Sequence, residues 1–178
     1  MALNHEKLVE EWYRRNRHFT VRSAKIGLNE IDLLALTEEF LERDQNVSYK
    51  LVKKHIEIQI SFKPVGYITS NNAKNKSIDE LKESVEKWVW KKFISDAAQG
   101  IRSAFNYDTG DIKDWKFEFV HHIVRDPYEL DLIANNKYQK IKLIKFDDII
   151  KELRRDDDFG AARRGSDAAD QVSLIKMK

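Results

Sequence analysis

Two carboxylates in this chain stand where their charge needs an answer. Asp32 interrupts the apolar run Ile31-Asp32-Leu33-Leu34-Ala35, and an ionised carboxylate there loses much of its hydration unless something positive faces it. Further along, Glu57 and Gln59 project from one face of an alternating segment. If the two segments pair as neighbouring strands, Glu57 sits beside Asp32. Like charges that close raise one another's pKa, whereas a divalent cation between them removes the repulsion. Hard oxygen ligands suit Mg²⁺ or Mn²⁺, and the chain has no cysteine and no well-spaced histidine pair that would select zinc. The plainer alternative for Asp32 is a salt bridge with Arg22 or Lys25 across a hairpin.

The elements that must position these groups are visible as periodicities. Leu8, Val9, Trp12 and Tyr13 recur at helical spacing from Asn4 to Asn16, with Asn4 as N-cap and Glu6 in the first turn. His18 to Ala24 is β-prone, Lys25 to Asn29 turns around Gly27, and Glu30 to Thr37 is a strand buried on most of both faces. The charged stretch Glu38 to Lys50 reads as an exposed connection. Val52 to Phe62 then alternates, with Ile56, Ile58, Ile60 and Phe62 on one face and His55, Glu57, Gln59 and Ser61 on the other; Pro64 and Gly66 close it. Ser77 to Phe105 keeps one helical period through Leu81, Val85, Trp88, Ala97, Ile101 and Phe105. Strands follow at Trp115 to Val124 and Ile141 to Phe146, and a short helix at Asp147 to Arg155. The order αβββαβ, then βα, predicts an α/β domain whose central mixed sheet is flanked by helices. Residues 1–158 form that domain, and the Gly, Ala, Arg, Ser and Asp composition beyond it makes 159–178 a flexible C-terminal tail.

Composition narrows the function classes. At 178 residues, 42% hydrophobic and 35% charged, the chain can bury one core and is not a disordered polymer. A net charge of +2 makes no global field, so a nucleic acid or membrane partner has to be read from local patches. The lack of cysteine excludes disulfides, thiolate zinc sites and cysteine nucleophiles, and fits a reducing cytoplasm. There is no leader-like apolar region, and no run of about 18 apolar residues that could span a bilayer. Kinase, dehydrogenase and serine-hydrolase motifs are missing.

The succession helix, strand, turn, a strand with Glu-Ile-Asp-Leu-Leu-Ala, then a strand with Ile-Glu-Ile-Gln-Ile-Ser resembles the PD-(D/E)XK, or restriction-endonuclease-like, superfamily. It is most similar to Holliday-junction-resolvase-like and Mrr-like members, over roughly residues 5 to 105. The resemblance implies a metal-dependent endonuclease that hydrolyses DNA phosphodiester bonds with Mg²⁺ or Mn²⁺. Asp32, Glu57 and the backbone carbonyl of Ile58 are then the metal ligands, and Glu10 on the first helix supports the site, with Glu6 as the second choice. Glu30 matches the residue before the motif aspartate. The departure is Gln59, which stands where most members have a lysine that positions water and stabilises charge developing on phosphate; a neutral amide serves the first task better than the second. Lys63, Lys87 or Lys91 could substitute. Relatives of this type often work as dimers, so a homodimer is a further expectation.

Other features have bland explanations at hand. Arg14, Arg15, Arg17, His18, Arg22 and Lys25, with Lys53, Lys54 and the Trp88 to Lys92 segment, could track phosphates, yet Glu6, Glu10 and Glu11 precede those arginines at helical spacing and suit an ion-paired face for at least half. Trp88 belongs to the core, and Trp90 points elsewhere on its helix to stack or pack. His121 and His122 face opposite ways on a strand and are structural. Asp108 to Asp111 is a turn. The rivals to a nuclease are a catalytically silent relative that binds nucleic acid or a protein, and an interaction subunit that docks through Arg163 and Arg164.

Overall fold

Five strands, β1 (Phe19–Ile26), β2 (Asn29–Arg43), β3 (Asn46–Gln59), β4 (Trp115–His121) and β5 (Ile141–Lys145), form one mixed sheet in chain order. The computed structural model describes residues 5–43, 46–60, 77–105, 114–124 and 126–159. β1, β2 and β3 are antiparallel neighbours, while β3, β4 and β5 run parallel. Parallel pairs need crossovers, and helices supply them: α2 (Ile78–Val89), a π turn (Trp90–Ile94) and α3 (Asp96–Ala104) lie between β3 and β4, and α4 (Pro127–Ala134) lies between β4 and β5.

Strand alternation divides the core into two layers. Ile56 and Val120 join Leu8, Val9 and Tyr13 of α1 (His5–Arg15) and Ile149, Ile150 and Leu153 of α5 (Phe146–Phe159), with Ile58 and Ile60 packed against them. The opposite face carries Leu34, Phe117 and Phe119 against Val85, Val89, Phe93, Ile101 and Ile133. The face predicted for His55 and Glu57 is therefore the one under α2 and α3. Phe62 and Ser61 lie outside the described residues, as do Lys63, the Asp108 to Asp111 turn and the tail from 160 onward.

Four expectations need correction. Glu38 to Lys50 is not a loose connection: β2 and β3 stay paired from Leu36↔Lys53 out to Arg43↔Asn46. Exposed charges are tolerated there because the ribbon extends beyond β1, and Glu39 faces Lys50 across it, an opposite-charge pair. The single helix from Ser77 to Phe105 is broken. A capping box starts it, the Ser77 hydroxyl accepting from the Glu80 amide while the Glu80 carboxylate accepts from the Ser77 amide. It then passes into the π turn, closed by Ser95 N donating to Trp90 O at 2.8 Å, and restarts at α3, where Ser95 Oγ accepts from Ala98 N. Helix α4 was not expected, although Asp126 as N-cap and Pro127 at the first helical position are a start signal. Finally β4 ends at His121, short of Val124, and α5 runs to Phe159, beyond Arg155.

Candidate functional site

The β2–β3 ladder stops at Leu33↔Ile56. One step further the same register would set Asp32 opposite Glu57, and there the strands part. The Ile58 amide, which has left the ladder with β2, donates to Asp32 Oδ2 at 2.7 Å. On the other side of β2, the β1 pairing runs through Arg22↔Leu33 and Ala24↔Ile31 but omits Ser23 and Asp32, and Ser23 holds a φ of 52°. A side chain other than glycine at positive φ is strained, so both neighbours of β2 depart from regular pairing at Asp32. The two carboxylates thus meet at a splay in the sheet, as their spacing predicts.

A lysine answers them. Lys92 Nζ lies 2.5 Å from Glu57 Oε2. The π turn brings it there: an extra residue in the turn shifts the helical period, so that Phe93 enters the core while Lys92 reaches over it to Glu57. Burial opposes the Lys92 charge, but Glu57, then Asp32 and Glu30, outweigh it and raise its pKa. Burial also pushes the carboxyls up. Asp32 rises to about 6, with Glu57 as the second cause and the Ile58 amide working against it. Glu57, 1% exposed, rises to about 7 despite Lys92. Burial is the largest cause for both, so each carboxyl holds its proton more tightly than a free one. Glu6, at the start of α1, is raised by burial first, and the Asp32 charge adds to the shift. Glu30 is held down by its hydrogen bond to Lys25.

The raised Glu57 pKa has a measurable signature. An acid whose folded pKa exceeds its unfolded value contributes its stability below the unfolded value and loses it as pH rises to the folded one. For Glu57 the window runs from 4.5 to about 7. His5, His18, His55 and His121 have lowered pKa values and act in the opposite sense, favouring the fold as pH rises. The Glu57 effect is therefore read as a difference. Without metal, Glu57→Gln should gain about 2–3 kcal/mol relative to wild type between pH 5 and pH 8 in urea titrations. Parallel stability curves for the two proteins would contradict the raised pKa.

Behind Glu57 lies a buried relay. His55 Nε2 is 3.0 Å from Glu57 Oε1, and His55 Nδ1 is 2.9 Å from Arg102 Nη1. A guanidinium only donates, so Nδ1 accepts and the ring proton sits on Nε2, where it is donated to Glu57. Burial, then Arg102 and Lys92, drive the His55 pKa well down and keep the ring neutral. Arg102 comes from α3 and also donates to Phe93 O at 2.7 Å, a carbonyl near the break between the π turn and α3. Its guanidinium lies over the Phe117 and Trp115 rings, and burial lowers its pKa to about 10. Both Glu57 oxygens are thus positioned, Oε1 by His55 and Oε2 by Lys92.

The remaining sequence-derived candidates fall elsewhere. Glu10 accepts from Thr20 Oγ1 at 3.1 Å and faces Arg22 Nε at 3.7 Å, so it is engaged with β1 while Glu6 is the helix acid near Asp32. Gln59 is exposed at the end of β3. Ile58 reaches Asp32 through its amide nitrogen. Neither proposed counter-ion of Asp32 takes that role, since Lys25 pairs with Glu30 at 2.9 Å and Arg22 faces Glu10. Lys87 pairs with Glu83 at 2.7 Å. Lys91 lines a pocket of about 220 Å³ beside Lys92 and Glu30. Sequence reasoning places Lys92 only in a basic patch and His55 only on the Glu57 face, and it gives Arg102 no role. Among the described residues, no three His, Asp or Glu side chains converge as a ready metal cage, and no helix is long and apolar enough to cross a membrane. Comparison with protein-family models, curated proteins and solved structures gives no match.

Proposed function

We propose that the protein is a metal-dependent nuclease of the restriction-endonuclease-like type, acting on DNA phosphodiester bonds. The observation that carries the reading is the meeting of Asp32 and Glu57 where β2 and β3 part, with the Lys92 ammonium beside them. The element order α1, β1, β2, β3, crossover helices, β4 supports it, since this is the order the resemblance implies. The donor set fits a hard divalent cation, because two carboxylates that burial makes costly to ionise gain most from one. Asp32 and Glu57 would hold the ion, which when bound polarises a phosphoryl oxygen and makes its water more acidic.

The chain's own groups supply the rest. The Ile58 amide fixes Asp32 Oδ2, and His55 fixes Glu57 Oε1, so neither carboxylate has to reorganise during reaction. Lys92 Nζ provides the positive charge that the amide of Gln59 lacks, and it offers that charge to the phosphate oxygens. Glu6 adds negative charge on the α1 side of the pair.

One observation favours a second reading, a silent member that binds DNA without cutting it: Lys92 already neutralises Glu57 at 2.5 Å, where a cation would otherwise serve. Plasmid and oligonucleotide cleavage in Mg²⁺, Mn²⁺ or EDTA, with calorimetric titration of each metal, separates the two. The nuclease reading expects metal binding that Asp32→Asn weakens, together with metal-dependent nicking. Absence of both binding and nicking leaves the silent reading.

A further inference from the structure

At the π turn the surface carries an open groove lined by Lys87, Trp90, Lys91 and Tyr138, with a volume of about 540 Å³. Trp90 is 48% exposed and Tyr138 38% exposed, although other large aromatics nearby, Trp88 and Phe93, pack inward on Phe119 and Phe117. Both rings stand on fixed backbone. Trp90 opens the π turn, and its carbonyl accepts from Ser95 N. The Tyr138 amide donates to Asn136 Oδ1 at 2.9 Å, and the Lys137 ammonium, itself 2.6 Å from Glu86, lies 5.2 Å from the Tyr138 ring centre. Lys91 lines this groove and also the pocket that holds Lys92 and Glu30.

Exposed rings flanked by ammonium groups match a nucleobase attached to its phosphate. The ring faces offer stacking, and Lys91 offers charge to the backbone, with Lys87 beside it on its Glu83 pair. A duplex hides its base faces inside its own stack, so only an unpaired base can present a face to Trp90. From this geometry we infer that the groove binds an unstacked base of single-stranded DNA. The inference rests on the nuclease reading for DNA as the strand bound. It names the substrate class as a single strand, or a duplex carrying an unpaired segment.

Binding can be measured apart from cleavage. In EDTA, fluorescence anisotropy should show labelled oligo-dT binding about tenfold or more tighter than a duplex of equal length, and tighter than an abasic strand that keeps the phosphates. Trp90→Ala should remove about tenfold or more of the oligo-dT affinity and leave the abasic affinity unchanged, and Trp90→Phe should restore most of the loss. Tyr138→Ala should act in the same direction, with near-native circular dichroism showing that each variant is folded. Equal binding of duplex, abasic strand and oligo-dT would overturn the inference, as would oligo-dT binding indifferent to both ring substitutions. Preference for an RNA strand over DNA of the same sequence would also overturn it. If oligo-dT binds through Trp90 but no DNA is cut in any metal, the groove stands and the nuclease reading fails; if duplex is cut and Trp90→Ala changes nothing, the reverse holds.

Discussion

Lys92→Met is expected to lower metal-dependent cleavage about 10²–10³-fold, the usual effect of removing one preorganised group that stabilises charge in a transition state. The same substitution strips Glu57 Oε2 of the cation 2.5 Å away. A buried carboxylate without its partner costs about 3–5 kcal/mol, which it avoids by taking up a proton. The Glu57 pKa, already about 7 with Lys92 present, then climbs further. The destabilisation in urea titrations should accordingly be small at pH 5 and approach that range at pH 8. Lys92→Arg keeps the charge and should recover stability but only part of the rate, since a planar guanidinium meets phosphate and carboxylate with different geometry. Chemistry and structure separate in this experiment. If Lys92 serves only as the counter-ion of Glu57, Mn²⁺ should replace it, and Lys92→Met should cut DNA as fast as wild type once metal is saturating. That outcome would remove Lys92 from the reaction while leaving the carboxylate pair in place.

The difference between what could be read from the letters and what could not follows from the range of each interaction. Asp32 and Glu57 were legible because a strand's period is two: an aspartate inside an apolar strand and a glutamate on an alternating one reveal their faces from their neighbours alone. The ladder then decides whether they meet, and it brings them to the same step. Lys92 was not legible, because helical spacing assumes a constant period and the π turn shifts it; Lys87 and Lys91 were the candidates on an unbroken helix. The Ser95-Asp96 pair is the local signal that could have suggested a restart. Glu6 and Glu10 lie one turn apart, so sequence could not tell which faces β2 and which faces β1; the contacts of Thr20 and Arg22 with Glu10 decide it. The β2–β3 ribbon was hidden by its charges, which signal exposure and are silent on backbone pairing. Nothing in the sequence pairs Arg102 with His55, whose bond spans 47 positions and forms only once α3 has docked on the sheet.

Arg102→Met is expected to destabilise the protein by about 3–5 kcal/mol, because the side chain makes two hydrogen bonds from a charged donor in a buried setting, each worth about 1.5–3 kcal/mol. The competing effect has the opposite sign. Burying a guanidinium is costly, and replacing buried charges with apolar groups of similar volume can be neutral or even stabilising. Two features favour the loss here. The charge lies over Phe117 and Trp115, which recover part of its desolvation, and removing it leaves Phe93 O and His55 Nδ1 without their donor in a sealed interior. Once His55 Nδ1 has no donor, the ring is free to carry its proton there, and Glu57 Oε1 then loses the Nε2–H bond that orients it. Arg102→Met should therefore weaken metal binding as well as the fold, although Arg102 touches neither carboxylate. A double-mutant cycle with His55→Phe tests this route: coupling of about 1–2 kcal/mol in stability, and metal affinity no worse in the double variant than in His55→Phe, would show Arg102 acting through the imidazole. Additive losses in both measurements would mean that Arg102 acts independently of the imidazole, through the packing of α3.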